Sequence, residues 1–216
     1  MTRPAGAQAP TSHPNVLADP RVRLCAGVAA LLATACAARR DRVGPREAGA
    51  FRAVNGLPDS WQLPAWVVMQ QGAFGAIPAS AAAAWLAGDG ELAGRLLAAG
   101  TSTWGLAQLV KQIVRRPRPV ALLSGTRRRG REAAGLGYLS GHAAVAVALG
   151  TAAVPRLGPV GRALALSAVP LVGLTRVYVG AHLPLDIAGG AALGLAVEAA
   201  VELVTSSTPG QPSAHG

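Results

Sequence analysis

Three short strings hold almost every residue of this chain that is suited to catalysis. Each lies at the end of an apolar segment and carries basic or histidine side chains. Together they supply two histidines, one aspartate and three cations, a set of groups that can break a phosphate ester without a metal ion. The strings are Lys111-x6-Arg118-Pro119, Ser140-Gly141-His142 and Arg176-x5-His182-x3-Asp186.

The third string places His182 and Asp186 four residues apart, which is one turn of a helix. A carboxylate at this spacing can accept the Nδ1–H of His182, fix the tautomer and leave Nε2 as a nucleophile. Pro184 lies between the two residues, where the first turn of a helix tolerates proline. Taken alone, the string also fits a histidine that caps its own helix.

The second string opens an apolar segment with Ser140, Gly141 and His142. The free N–H groups at a helix N-terminus attract an anion, and glycine lets a ligand approach the backbone closely. His142 is placed to donate a proton to a leaving oxygen. Ordinary capping by Ser140, with an incidental histidine beside it, is the alternative for this string on its own.

The first string ends an apolar segment with cations that suit a phosphoryl group. Lys111 is the only lysine of the chain, and Arg118 follows it seven residues later. Pro117 and Pro119 predict that the helix breaks near Arg118. Together with Arg176, these cations can neutralise the charge of a phosphoryl group and of its transition state. Basic residues that only mark the end of a membrane span would give the same pattern.

The elements that must position the strings are apolar segments of about the length that crosses a bilayer. Because lipid offers no partner for an open backbone group, we expect an all-α fold, a bundle of six transmembrane helices. The connectors after the third and fifth spans then lie on one side, which predicts an active site at one membrane face. The six segments are roughly 22–38, 65–87, 92–114, 139–155, 159–175 and 183–204.

The domain organisation is simple. Residues 1–20 and 205–216 are predicted to be flexible tails, and residues 21–204 form one membrane domain. Residues 39–64 are predicted to be a long polar loop, and Pro78 is predicted to kink the second segment. Glycine and alanine in the second and sixth segments predict close helix packing.

The charge and the cysteine content of the chain indicate which ligands and cross-links to expect. The net charge is +10, carried mainly by arginines in connectors, which favours anionic lipid headgroups and phosphorylated substrates. The basic cluster within 127–131 lacks the interleaved aromatic residues of a single-strand nucleic-acid site, so no nucleic-acid partner is expected. Cys25 and Cys36 are expected to stay unpaired, since eleven helical residues separate them by roughly 16 Å. No zinc-type spacing is present, and no metal or cofactor is expected.

The combined strings resemble the type 2 phosphatidic acid phosphatases, the membrane branch of a superfamily that also contains haloperoxidases. The pattern of that family is Lys-x6-Arg-Pro, then Pro-Ser-Gly-His, then Ser-Arg-x5-His-x3-Asp, and the resemblance covers roughly residues 50–204. Leu139 replaces the proline and Thr175 replaces the serine before the arginine. Neither replacement removes a catalytic group. The resemblance implies these roles: phosphate binding by Lys111, Arg118, Ser140, Gly141 and Arg176, a general acid in His142, a nucleophile in His182 and an orienting carboxylate in Asp186.

The resemblance also implies an activity. The expected protein is an integral-membrane lipid phosphatase that hydrolyses a phosphate monoester or diphosphate of a lipid through a phosphohistidine, without a metal. Its partners would be the phosphorylated lipid and the surrounding membrane lipids. The alternatives are a membrane carrier or scaffold that kept a phosphate pocket, and a vanadium-dependent haloperoxidase. Haloperoxidases are typically larger and soluble, which the apolar segments disfavour.

Two arguments give opposite predictions for the membrane face on which the site lies. Fourteen of the twenty basic residues lie on the side of the three strings, so the positive-inside rule places that side in the cytoplasm. The bacterial members of the family that the chain resembles usually face outward. We expect a multi-pass protein of the cell membrane, with the resemblance favouring the extracytoplasmic face.

Overall fold

All regular structure in the described part of the chain is helical. The fold comes from a computed structural model that describes residues 19–40, 42–130 and 135–206. The all-α prediction is confirmed, while the predicted tails lie outside these residues except at their inner ends. The α-helices are α1 (Pro20–Ala38), α2 (Pro45–Asn55), α3 (Gln62–Met69), α4 (Ala76–Leu86), α5 (Gly90–Val114), α6 (Pro119–Leu122), α7 (Gly141–Ala153), α8 (Pro159–Tyr178) and α9 (Pro184–Ser206).

Helix α9 lies at the centre of the bundle and packs on α1, α5 and α7. Glycine makes the contact with α7 close. A Cβ atom on Gly190 would lie 2.4 Å from the carbonyl oxygen of Ser140, and one on Gly194 would lie 2.2 Å from that of Ala144. The prediction that small residues bring helices together is therefore confirmed for this pair.

The second apolar segment is not one kinked helix, as the sequence predicted, but two helices. A 3₁₀ turn at Gln70–Gly72 separates α3 from α4. Pro78 lies in the first turn of α4, where proline costs no hydrogen bond, so it does not form the kink. The break instead lies near Gly72, where a Cβ atom would come within 2.3 Å of the carbonyl oxygen of His142. The interruption thus lies against the start of α7.

In the part of the chain that the structure describes, three helices are long and apolar enough to cross a membrane: Pro20–Ala38, Pro159–Tyr178 and Pro184–Ser206. The predicted count of six spans is not confirmed by length and composition. The second segment is interrupted, α5 carries Glu91, Arg95 and Lys111, and α7 has only 13 residues. Both cysteines lie on α1, where they are unpaired, as predicted, and exposed to the surroundings of the bundle.

The connector between α1 and α3 is not the polar loop that the sequence predicted. It contains α2, which buries Phe51 and Ala48 against Leu123, Val177 and Leu183. The spacing of these apolar side chains was obscured by the arginines around them. Helix α2 consequently lies against the ends of α8 and α9 that bear the third string.

The other end of the bundle holds a compact ion cluster that joins α1, α5 and α9. Glu198 is fully buried and pairs with Arg23 at 3.3 Å and with Arg95. Glu202, one turn later, pairs with the same two arginines. Two cations and two anions therefore compensate each other inside the helix bundle.

Candidate active site

The three strings meet at one end of the bundle. The C-terminal ends of α5 and α8 and the N-terminal ends of α7 and α9 lie together there, because successive long helices run in opposite directions. Backbone hydrogen bonds join the connectors: the Gly137 N–H donates to the Arg116 carbonyl at 2.7 Å, and the Ser140 N–H donates to the Asp186 carbonyl at 2.9 Å. Residues separated by up to 75 positions, from 111 to 186, are therefore held against one another.

His182 lies in the short connector between α8 and α9 and is 2% exposed. Its Nδ1 lies 2.8 Å from the carbonyl oxygen of Gly137, and because a carbonyl only accepts, Nδ1 carries the proton. Nε2 then keeps its lone pair. The nearest oxygen of Asp186 is 3.7 Å from Nδ1, an ion-pair distance and not the direct hydrogen bond that the sequence predicted. Burial lowers the pKa of His182 to about 4, although the Asp186 carboxylate acts to raise it.

Asp186 is completely buried in the first turn of α9. Its Oδ2 accepts a hydrogen bond from the Leu183 N–H at 2.8 Å, and its Oδ1 accepts one from Nη1 of Arg116 at 2.8 Å. The carboxylate therefore shares its charge between the imidazole and a buried guanidinium. It does not face an open cavity.

Three cations surround the space in front of His182. Arg118 is held by two carbonyls, through Nε to Gly135 at 3.1 Å and through Nη1 to Ala181 at 2.8 Å. Burial lowers the pKa of Arg118. Arg176 contacts the sulfur of Met69 through Nη1 at 3.2 Å, and its Nε is buried without a hydrogen-bond partner. A guanidinium in this state is suited to an anionic ligand.

Lys111 reaches the same space from the last turn of α5. The helix ends three residues later, at Val114, because Arg115 adopts the left-handed conformation with φ of 55°. Arg118 thus leaves the helix, as the prolines around it predicted. Lys111 and Arg118 nevertheless line one cavity, since the chain folds back after α5.

The start of α7 contributes its residues unequally. Ser140 is fully buried and caps the helix, with its hydroxyl accepting a hydrogen bond from the Ala143 N–H at 3.4 Å. Gly141 and His142 line the cavity. A Cβ atom on Gly141 would meet nothing within 4 Å, so its backbone faces open space. The structure therefore places Gly141 and His142, but not the Ser140 hydroxyl, beside the cations.

Two cavities meet at these residues and share Arg118, His142 and Arg176. One, of about 400 Å³, also contains Lys111 and His182 and opens past Phe74 and Trp104. Those two rings form a tilted pair with centroids 5.0 Å apart. The other cavity, of about 440 Å³, opens between α3 and the connector near 128–130, beside Trp66 and Gln70.

Sequence reasoning missed two polar residues that contact the site, Arg116 and Glu47. Arg116 lies inside the first string, between Arg115 and Pro117, and nothing local distinguishes it from the other arginines of that string. Glu47 lies 69 positions away and meets Arg116 only because α2 docks on the bundle. Among the residues that the structure describes, no group of three or more His, Cys, Asp or Glu side chains is arranged to hold a metal ion.

Known protein structures share the fold of this chain. The crystal structure of Aquifex aeolicus LpxE matches with a TM-score of 0.66 and 20% identity, over 72% of this chain and 93% of that one. The crystal structure of the first transmembrane PAP2 type phosphatidylglycerolphosphate phosphatase from Bacillus subtilis matches with a TM-score of 0.61 and 20% identity, over 85% and 98%. Both similarities concern the fold. No curated protein sequence matches the chain.

The family model of the PAP2 superfamily matches residues 92–207, a segment that contains all three strings. This segment makes up more than half of the chain. The protein belongs to the PAP2 superfamily.

Proposed function

We propose that this membrane protein hydrolyses the phosphate ester or diphosphate of a lipid through a phosphohistidine on His182. Membership of the PAP2 superfamily makes it a phosphoric-ester hydrolase, and the proposal concerns the substrate and the roles of its residues. The observation that carries it is a single cavity lined by His182, His142 and the cations Lys111, Arg118 and Arg176. A phosphoryl group fits such a site because the cations balance its charge and both the nucleophile and the proton donor line the cavity.

The first step uses the lone pair of His182 Nε2. It attacks phosphorus, and a P–N bond forms while the bond from phosphorus to the lipid oxygen breaks. His142, protonated at this stage, gives its proton to the departing oxygen. Arg118, Arg176 and Lys111 hold the non-bridging oxygens, whose charge they balance in the transition state.

The second step returns the enzyme to its starting state. A water molecule attacks the phosphohistidine, and the neutral His142 takes one of its protons. The P–N bond breaks, inorganic phosphate leaves and His182 again carries a lone pair on Nε2. The cations supply the charge stabilisation that a metal ion supplies in other phosphatases, so the scheme requires no divalent cation.

A lipid substrate is supported by the position of the cavity. The opening past Phe74 and Trp104 lies among exposed apolar side chains of the bundle, where an acyl or prenyl chain can remain in the bilayer. The candidates are polyprenyl diphosphates, phosphatidic acid, phosphatidylglycerol phosphate and a polyprenyl-phosphosugar phosphate. Each presents a terminal phosphate at headgroup level.

An assay on a panel of these four lipid phosphates tests the proposed function directly. We expect purified protein in detergent to release inorganic phosphate from at least one of the four lipid phosphates, at the same rate with and without EDTA. The measurement is colorimetric phosphate release, with the unphosphorylated lipid as blank. Activity that disappears in EDTA and returns only with a divalent metal would contradict the mechanism. No release from any member of the panel would favour a carrier or scaffold instead.

The pH profile follows from the state of His182. Only the neutral imidazole attacks phosphorus, so activity is present above the pKa of His182 and lost as the pH falls through it. Because burial lowers that pKa to about 4, the acidic limb of kcat/KM should lie near pH 4 and not near the unperturbed 6.5. Burial and the nearby cations lower the pKa of His142 in the free enzyme to about 3, so His142 holds its proton only when the negative charge of a bound phosphoryl group raises that pKa. The alkaline limb is therefore expected in kcat, which reports the enzyme–substrate complex, at the pH where His142 loses the proton that it must donate. A lipid monophosphate and a lipid diphosphate should share the acidic limb, and a common limb near 6.5 would contradict the assignment.

We further propose that the site faces the extracytoplasmic side of the cell membrane. The support is the sequence resemblance, against the excess of arginine on the same side. A cysteine at the exposed Ser124, in a chain that lacks Cys25 and Cys36, should react with an impermeant maleimide in intact cells. Reaction only after the cells are permeabilised would place the site in the cytoplasm.

A further inference from the structure

Arg116 lies between two carboxylates, those of Asp186 and Glu47, behind the proposed nucleophile His182. It is 1% exposed and follows α5 in the connector that leads to Arg118. Its Nη1 donates to Oδ1 of Asp186 at 2.8 Å and to Oε1 of Glu47 at 3.1 Å, and its Nη2 donates to Oε2 of Glu47 at 2.8 Å. The contact with Glu47 therefore uses both terminal nitrogens of the guanidinium and both oxygens of the carboxylate. This bidentate geometry fixes the guanidinium plane most firmly.

Glu47 also holds the start of α9. Its Oε1 accepts a hydrogen bond from the Leu185 N–H at 3.1 Å, one residue before Asp186. The Asp186 carboxylate is thus held from three directions: by the Leu183 N–H, by Arg116, and through the backbone that Glu47 fixes. Its position relative to His182 is set by this arrangement.

The charges of Asp186, Arg116 and Glu47 do not cancel. Asp186 and Glu47 carry two negative charges around one guanidinium, and the excess negative charge lies behind His182. Burial acts to lower the pKa of Arg116, but the hydrogen bonds that it donates to Glu47 and the charge of Asp186 outweigh this effect and raise the pKa. Arg116 therefore remains a cation, and Glu47 offsets part of its pull on Asp186.

We propose that Glu47 is a positioning residue for the phosphatase reaction, acting through Arg116 and Asp186 to orient His182 and maintain its basicity. This inference rests on the proposed function. Helix α2, outside the three strings, then contributes to catalysis without touching the substrate.

The proposal predicts opposite effects from two substitutions. Glu47→Gln removes a negative charge, so Arg116 interacts more strongly with the Asp186 carboxylate. The carboxylate then stabilises protonated His182 less, and His182 becomes less basic. Arg116→Gln removes the cation and leaves Asp186 to act on His182 alone, so His182 becomes more basic. The other charged or titratable groups that face His182 stay the same in both variants: Lys111 on α5, Arg118 in the connector, His142 on α7 and Arg176 on α8.

The experiment compares Glu47→Gln and Arg116→Gln with the wild type on the best substrate of the panel. Groups that orient a reacting residue without touching the substrate contribute about 10- to 100-fold to activity. We therefore expect kcat to fall by about that factor in each variant. KM and the inhibition constant of inorganic phosphate should change little, because Lys111, Arg118 and Arg176 are untouched. The acidic limb of kcat/KM should move to lower pH in Glu47→Gln and to higher pH in Arg116→Gln.

The matched control is Glu91→Gln, which removes a glutamate paired with Arg156 at 3.0 Å on the opposite end of the bundle. It should leave kcat, KM and the pH profile unchanged. Glu47→Gln preserves the shape of the side chain, so it decides the question if Arg116→Gln does not fold.

A loss of thermal stability in Glu47→Gln, with wild-type kcat and an unmoved acidic limb in the folded protein, would overturn the positioning role. The same limb shift in both variants would overturn it as well. Failure of the proposed function is recognised separately: it would appear as a wild type without phosphatase activity, or as full activity in His182→Ala.

Discussion

Replacing His182 with alanine is expected to lower kcat for lipid phosphate hydrolysis by about 10⁴-fold or more, since the variant lacks the atom that attacks phosphorus. The cations that bind phosphate remain, so inorganic phosphate should still bind. The measurement is phosphate release from the substrate identified in the panel, with thermal unfolding in detergent to verify that the variant is folded. Equal release by the variant and the wild type would eliminate the proposed nucleophile.

His142→Ala is the matched comparison for this variant. It keeps the nucleophile but removes the proton donor, a loss of about 10²- to 10⁴-fold for a lipid alcohol. An aryl phosphate needs no proton on its leaving oxygen, so the first step should recover with that substrate while the second stays slow. The phosphoenzyme should then accumulate in His142→Ala as an acid-labile phosphate on residue 182. It should be undetectable in His182→Ala, and its presence there would place the intermediate elsewhere.

Glu198→Ala is expected to destabilise the bundle by about 3–5 kcal/mol, because it leaves Arg23 and Arg95 with one anion between them in a buried position. Unfolding by denaturant or heat in detergent, compared with the wild type, measures the effect. The cluster lies at the end of the bundle opposite the histidines. The fraction that remains folded should therefore keep the wild-type kcat.

The control for Glu198→Ala is Glu91→Ala, which breaks an exposed pair and should leave the unfolding transition where it is. A second comparison replaces Glu198 and Arg95 together by methionine. Because both partners of a buried pair are then gone, this variant should be more stable than Glu198→Ala. Equal stability of Glu198→Ala and the wild type would show that the cluster contributes nothing to the fold.

The parts of the site that could be predicted from sequence are those fixed by short-range spacing. Asp186 lies in the first turn of α9, and Gly141 and His142 open α7, so the positions of these residues follow from helix rules. His182 lies just before α9, and its spacing from Asp186 brings the two close without a direct hydrogen bond. The common end of the bundle followed from the alternation of apolar segments. Lys111 and Arg118 could be assigned to that end, but their shared cavity depends on how the chain folds after α5.

The parts that could not be predicted depend on contacts between distant segments. The carbonyl of Gly137 accepts the proton of His182 in the place where the spacing suggested Asp186, because the connector before α7 passes directly behind the ring. The partner of Asp186 is instead Arg116, one of several arginines in its string. Nothing in the composition of either segment indicates which guanidinium is buried, since that choice follows from the docking of α2.

The contact between α7 and α9 also determines how far apart the two histidines lie. Gly190 and Gly194 each present only a hydrogen atom to a main-chain oxygen of the facing helix, and a methyl group in either place would overlap an atom that cannot rotate away. The helices would have to separate, and displacements of about 1 Å at reacting groups cost about 10²-fold in rate. Two of the smallest residues in the chain thus act as the spacer that sets the reach between proton donor and nucleophile.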